Sequence, residues 1–312
     1  MNLMVILGPT ATGKTAVATR VAARLGGEIL SGDSRQIYCG MDIGTGKDLN
    51  EYVVDGKKVP YHLIDIAPAG FKYNLYMYQR DFNIAYRDIM SRGKLPVLCG
   101  GTGLYIEAVL GGYQLLEVPQ NPELRERLEG KSREELERIL LSYKDYKPHN
   151  VTDFCNTRRA IRAIEIADYY ANNDIKGIDV PEIDPLIFGI DISRELRRER
   201  ITARLKARLD EGMVDEIRGL IDSGVDPDDL VYYGLEYKYV TKYVIGELNF
   251  DEMQRLLEIS IHQFAKRQMT WFRGMERRGY NIEWIDGTLQ LEERVNQVIE
   301  IFLKKNMKTF GG

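Results

Sequence analysis

The stretch that most constrains this chain is its beginning, where the apolar run MNLMVIL passes straight into GPTATGKT, residues Gly8 to Thr15, and then into AVATRVAARL. A short buried strand, a glycine-rich turn and a helix in immediate succession read as a βα unit of a parallel sheet. The turn then lies at the carboxyl edge of the strand, where open α/β sheets bind ligands. Gly8, Gly13, Lys14 and Thr15 satisfy G-x-x-x-x-G-K-[ST] in the strand-to-helix context that the pattern requires. The glycines let backbone N–H groups converge on phosphate oxygens, and the helix N-terminus adds partial positive charge. Lys14 neutralises the outer phosphate, and the Thr15 hydroxyl is the candidate metal ligand, for Mg²⁺. The loop residues Gly8, Pro9, Thr10, Ala11, Thr12, Gly13, Lys14 and Thr15 are therefore a diphosphate cradle, which by itself also admits a nucleotide.

Apolar runs at Leu3–Leu7, Glu28–Leu30, Tyr61–Ile64, Pro96–Cys99 and Leu186–Ile190 alternate with helical patterns. The expected fold class is α/β, a P-loop NTPase-like parallel sheet flanked by helices. Between the fourth and fifth runs, NPELRERLEGKSREELERILLSYKDYKP is charged and helical, with Pro122 at a first helical position and Ser132 with Glu135 as a capping box. It is read as a small all-helical insertion. The expected division is 1–117 for the first part of the core, 118–150 for the insertion, and 151–312 for the second part of the core. From Ser193 the pattern is helical almost to the end, and the last residues, KKNMKTFGG, read as a frayed tail. Met253, Leu257, Ile261 and Phe264 form an apolar stripe that is expected to be core.

With 312 residues, 44% of them hydrophobic, the chain can bury one large core or two modest ones. The formal net charge of −4 gives no global attraction for a polyanion, so any basic surface has to be local. Cys39, Cys99 and Cys155, with His62, His149 and His262, lack the spacing of a zinc site, and nothing pairs the thiols. The apolar N-terminal run is too short for a signal peptide or a membrane span, so the expectation is a cytoplasmic protein without a membrane partner.

Three further features bear on chemistry. In EILSGDSRQIYCGMDIGT, Asp33 projects from the end of the second strand toward the cradle, although Asp-Ser is also a common turn pair. In LPVLCGGTGLYIEAVL, Thr102 sits among glycines at another strand-to-helix turn, and Asp65 of YHLID is the main candidate carboxylate for a metal. Arginines form three stripes. Arg197, Arg200, Arg204 and Arg208 share one helical face, and the second stripe holds Lys266, Arg267, Arg273, Arg277 and Arg278 with Trp271 and Phe272 interleaved. Arg158, Arg159 and Arg162 make the third. Each can be a solvated helix face, yet three on an acidic chain favour a phosphate-rich partner, with the aromatics suited to stacking on bases.

Taken in order, GPTATGKT, GDSRQIYCGMDIGTGK, VPYHLIDI, LCGGTGLYIEAV, TRRAIRAIEI, ITARLKARLDEGMVDEIRGL and AKRQMTWFR resemble the tRNA dimethylallyltransferases, also called isopentenyltransferases, over nearly the whole chain. The resemblance implies transfer of a dimethylallyl group from dimethylallyl diphosphate to the exocyclic N6 of the adenosine 3′ of the anticodon, in tRNAs reading U-initial codons, assisted by Mg²⁺. It implies Asp33 as general base, with Thr102 and Arg204 beside the P-loop on the diphosphate. It also implies contact of Asp33, Ser34, Arg35, Gln36, Arg125, Arg158, Arg159, Ala160, Ile161 and Arg162 with the anticodon stem-loop of tRNA. Arg158 stands where a glutamine is usual, GLEYK replaces a Gly-Tyr-Lys, and no Cys/His zinc finger follows, so the bacterial type is expected; a monomer is the expected state. A small-molecule kinase and a non-catalytic RNA-binding NTPase are the rival readings of the P-loop.

Overall fold

A computed structural model of the chain describes residues 1–113, 115, 117–143, 156–173 and 179–310, with side chains through 306. In chain order its elements are β1 (Leu3–Leu7), α1 (Lys14–Leu25), β2 (Glu28–Ser31), a 3-10 turn (Leu49–Tyr52), β3 (Val53–Val54), β4 (Lys57–Lys58), β5 (Tyr61–His62), α2 (Leu75–Ser91), β6 (Pro96–Gly100) and α3 (Gly103–Leu110). There follow α4 (Pro122–Leu128), α5 (Arg133–Leu141), α6 (Thr157–Asn172), β7 (Pro185–Asp191), α7 (Arg194–Asp210), α8 (Met213–Asp222), α9 (Pro227–Tyr232), α10 (Leu235–Val244), α11 (Phe250–Arg277), β8 (Ile282–Asp286) and α12 (Leu291–Phe310).

Six strands form one sheet in the order β5-β2-β6-β1-β7-β8, and every pairing in it is parallel. The first strand is central, with Ile6 opposite Cys99 on one side and Phe188 on the other. Successive side chains of a strand point to opposite faces, so β1 feeds two cores at once. Leu3, Val5 and Leu7 join the core that includes Phe82, Ile106, Ile201 and Phe272, while Met4 and Ile6 pack with Val17 and Val21 of α1 and Val295 and Val298 of α12. This is the expected P-loop NTPase-like α/β sheet.

Two expectations about the C-terminal half change. Residues 282–286, taken as part of a helical region, are the edge strand β8, paired to β7 from Ile187 with Ile282 to Asp191 with Asp286. A strand of five residues between helices of 28 and 20 residues has too little periodic signal to stand out from its neighbours. The C-terminal stretch that reads as a frayed tail continues α12 as far as Phe310.

A second compact unit, Gln114–Val180, has its own small core. In it Leu124 and Leu128 of α4 and Leu136 and Leu140 of α5 meet Ala160, Ala163, Ile164 and Ala167 of α6. Pro122 and the Ser132–Glu135 capping box start α4 and α5. The proposed boundary between 150 and 151 lies outside the described residues, as do His149 and Cys155. Helix α6, assigned by sequence to the main core, belongs to this unit because its apolar face is the third wall of that core. No helix among the described residues is long and apolar enough to cross a membrane.

Candidate functional site

The loop between β1 and α1 is held in a conformation that few residues tolerate. A Cβ on Gly8 would lie 2.7 Å from the carbonyl oxygen of Ile190, so the loop can pass this close to β7 only with glycine there. Ala11 and Gly13 adopt left-handed backbone, at φ 63° and 78°. The buried Thr12 hydroxyl donates to the Pro9 carbonyl at 3.0 Å, pinning the loop from beneath. No side chain caps the start of α1, which leaves its first N–H groups to an anion.

One residue that the sequence reading missed ties this loop to the rest of the site. Gln268, 6% exposed on α11, accepts a hydrogen bond from Thr10 N at 2.9 Å and donates one to the Gly101 carbonyl at 2.9 Å. Its signal was present, since it is a polar side chain on the buried face shared by Ile261, Ala265, Met269 and Phe272. Nothing in the sequence says what meets it.

A second close crossing assembles the other half. The backbone of Gly32 passes so near Gly100 that a Cβ on Gly100 would lie 2.3 Å from it. That approach lets Thr102 N donate to the Gly32 carbonyl at 3.1 Å, while the Thr102 hydroxyl accepts from Ser34 N at 3.0 Å and donates to Ser34 Oγ at 3.3 Å. Asp33 serves its own turn, with Oδ1 accepting from Arg35 N at 3.0 Å, and it also lines the cleft. Turn residue and site residue are thus not alternatives. Gln36, by contrast, is 9% exposed, accepts from Ser31 Oγ at 3.0 Å and donates to the Gly46 carbonyl at 3.2 Å, so its side chain supports the turn from inside.

These elements surround a cleft of about 940 Å³. Thr10, Ala11, Gly13, Lys14 and Thr15 of the loop line it together with Asp33, Ser34, Arg35 and Thr102, and with Arg200 and Arg204 of α7. Gly8, Pro9 and Thr12 lie buried beneath the loop. Apolar surface comes from Leu104, Ile261, Phe264 and Trp271. Phe264, expected in the core with Met253, Leu257 and Ile261, is 37% exposed and belongs to this wall.

The striped arginines of α7 divide their tasks. Arg197 pairs with Asp191 at 3.2 Å, and Arg208 pairs with Asp48 and donates to the Ile43 carbonyl at 3.2 Å. Arg204 reaches Asp48 at 3.2 Å and Thr10 Oγ1 at 3.4 Å, which sets its guanidinium beside the P-loop. Two carboxylates that the sequence did not single out, Glu51 and Glu236, also line the cleft. Burial, then the neighbouring Asp48 charge, raises the pKa of Glu51 against the pull of Arg204, Lys14 and Arg20. Burial likewise raises that of Glu236, with Arg204 opposing and Asp33 reinforcing the shift.

Asp65, the sequence candidate for a metal carboxylate, is spent elsewhere. It pairs with Lys47, a 1% exposed cation that also donates to the Tyr38 carbonyl and to Asp42, both at 2.6 Å. A buried ammonium must keep its partners, and this removes Asp65 from the cleft. The second basic stripe is also partly structural. Phe272 is fully buried, so its ring is not open to a base, and Arg278 forks onto the buried Glu107, whereas Trp271 packs on Gly103 and still lines the cleft.

Within the helical unit, Glu165 is buried and accepts from Arg125 Nε at 2.7 Å and Nη2 at 2.9 Å, from Arg162 Nη1 at 3.1 Å and from Asn121 N at 2.8 Å. Burial pushes its carboxyl up, but the bonds from Arg125, Asn121 and Arg162 outweigh that and hold it below the usual range. Arg125 and Arg162 are therefore half-committed inside the unit. Arg158 and Arg159 are exposed, Ile161 is half-buried and Ala160 is buried.

Family models described as IPP transferase and isopentenyl transferase match residues 36–275 and 1–61. A Parabacteroides distasonis protein named tRNA dimethylallyltransferase 1 is 62% identical, with 96% of this chain and 97% of that protein covered. A Bacteroides fragilis protein named tRNA dimethylallyltransferase 2 is 60% identical over 99% of both. Among solved structures, the full-length tRNA isopentenylpyrophosphate transferase of Bacillus halodurans is 32% identical, with a TM-score of 0.72 over 98% of this chain and 97% of that one.

Proposed function

The chain belongs to the IPP transferase family, the tRNA dimethylallyltransferases, and from that premise we propose which groups of its cleft carry out prenyl transfer to tRNA. The donor is dimethylallyl diphosphate and the acceptor is the exocyclic N6 of the adenosine 3′ of the anticodon, in tRNAs reading U-initial codons. The enzyme works as a cytoplasmic monomer. Membership in this family also decides against the kinase and switch readings of the P-loop.

The diphosphate lies against the backbone amides of the Gly8–Thr15 loop and the start of α1, with Lys14 and Arg204 on its outer oxygens. As the allylic carbon–oxygen bond breaks, negative charge grows on the departing diphosphate, and donors already aimed there act most strongly in the transition state. The Thr102 hydroxyl, fixed by Ser34 N, holds the two strand-end turns in register beside the leaving group. Asp33 takes the proton that the adenine amine must lose as it attacks the allylic carbon. The apolar wall of Leu104, Phe264 and Trp271 suits the prenyl tail and keeps water from the allylic centre.

The cleft fits a magnesium ion. Thr15 supplies a hydroxyl at the start of α1, Glu51 lines the same space, and the diphosphate would complete the all-oxygen set that Mg²⁺ prefers. When bound, the ion neutralises charge on the departing diphosphate. Ser34 and Arg35 at the cleft, and Arg158 and Arg159 with the outer faces of Arg125 and Arg162 in the helical unit, are the proposed contacts to the anticodon stem-loop. Those contacts offset the cost of extruding the target base from its stack.

The observation that carries this reading is the convergence of Asp33, Thr102, Arg204 and the P-loop on one cleft. Incubation with labelled dimethylallyl diphosphate and unmodified tRNA tests it. Label is expected in the RNA, on the adenosine 3′ of the anticodon, and release of label as free alcohol without transfer to RNA would overturn it.

A further inference from the structure

We infer that Glu216, on α8 and outside the cleft, is a positioning residue that sets Arg204 for the diphosphate through the loop Asp42–Asp48. The inference rests on the reading of Arg204 as a diphosphate ligand.

Three consecutive backbone N–H groups of that loop donate to the one carboxylate. Asp42 N and Ile43 N reach Oε2 at 2.9 and 2.7 Å, and Gly44 N reaches Oε1 at 3.1 Å. The fourth donor is Tyr237, a 1% exposed residue of α10, whose hydroxyl reaches Oε1 at 2.6 Å. Its ring also packs on Gly44, where a Cβ would lie 2.7 Å from it. A carboxylate that fills its acceptor sites with fixed donors is a stronger anchor than a neutral acceptor, because hydrogen bonds to an ionised group are roughly twice as strong.

What this anchor holds is the frame around Arg204. The Ile43 carbonyl, adjoining one of the anchored amides, accepts from Arg208 at 3.2 Å. Gly46, left-handed at φ 66°, lies so close under Arg204 that a Cβ there would sit 2.1 Å from Nη2. Asp48, left-handed at φ 43°, bridges Arg204 and Arg208 with its two oxygens. Arg204 therefore has a floor, a bridging carboxylate and the Thr10 hydroxyl, and two of those three belong to the loop that Glu216 fixes. Release of the loop frees the guanidinium to other rotamers and leaves Asp48 free to draw it off the P-loop. Preorganisation of a cation that binds a leaving group is lost without any change at the base Asp33.

The test is a double-mutant cycle read as separate KM values. Glu216→Ala is expected to raise KM for dimethylallyl diphosphate about tenfold while KM for tRNA moves less than about twofold. Glu216→Gln, whose single amide oxygen can serve only one of the two acceptor positions, is expected to recover only part of that loss. Tyr237→Phe, which deletes one hydrogen bond and keeps the packing, is expected to raise the same KM about threefold. In an Arg204→Ala background, Glu216→Ala should add less than about twofold, because the group it positions is gone. Fully multiplicative effects would overturn the inference, and so would an unchanged donor KM in folded Glu216→Ala and Tyr237→Phe enzymes when Arg204→Ala raises it. Should Arg204→Ala itself leave the donor KM unchanged, the reading of Arg204 fails and this inference falls with it. The single Arg204 variant tells the two failures apart.

Discussion

At the scale of the residue, Asp33 is a carboxylate that closes a turn, lines the cleft and is the proposed base. Its Oδ1 closes the turn onto Arg35 N, and Oδ2 accepts no hydrogen bond from the described residues. Asp33→Asn preserves the turn acceptor and removes the base. We expect near-normal binding of tRNA and donor, with kcat lower by roughly 10²–10⁴-fold in single-turnover assays. A loss of tRNA binding instead would make Asp33 a contact rather than a base. Glu28 sits at the opposite end of β2, where Arg92 holds its carboxyl at about 2, with burial opposing and His62 assisting. A folded-state value below the unfolded 4.5 means that its stabilisation is complete above that pH and is lost as pH falls toward about 2. Glu28→Gln should therefore flatten the acid limb of the thermal unfolding midpoint between those values, and an unchanged slope there would refute it.

At the scale of the element, the site depends on two backbone crossings and one helix. Gly100→Ala places a methyl 2.3 Å from the Gly32 backbone, which cannot yield as a side chain end can. The expected result is a loss of about 1–3 kcal/mol or more in denaturant unfolding, together with lost turnover, because Thr102 and Asp33 are drawn apart. Gln268→Leu removes both ties from α11 to the P-loop and to Gly101, and leaves Thr10 N and the Gly101 carbonyl without their partner. Donor affinity is expected to fall about tenfold by equilibrium titration, in keeping with the cost of unmaking a buried hydrogen bond. The sequence showed that α11 was amphipathic and that α7 carried arginines at helical spacing. It did not show that Arg208 would be absorbed by Asp48, 160 residues away along the chain.

At the scale of the whole molecule, the acidic chain meets an anionic substrate through local surfaces only. Arg158 and Arg159 are the exposed arginines of α6, whereas Arg162 divides its donors between Glu165 and the Val118 carbonyl. Arg158→Ala is expected to weaken tRNA binding and to reduce the slope of log K against log salt by roughly one. Arg162→Ala should chiefly destabilise the helical unit, because it takes one partner from a buried carboxylate. Titrations of both variants at several salt concentrations check the contrast, and equal slopes would remove it.

Local order along the chain is what the sequence by itself determined. The strand, the P-loop and α1, the strand-end turns at Asp33 and Thr102, and the helical caps at Pro122 and Ser132 are all written in adjacent residues, where spacing and φ preference act. Tertiary structure alone decided which polar groups were left for chemistry. Asp65 was withdrawn by the buried Lys47, Phe264 was turned from core to cleft, and Gln268, Glu51 and Glu236 were delivered to the site. The physical reason is that burial makes each polar group find a partner, and that partner is chosen by proximity in space, on which distance along the chain has no bearing.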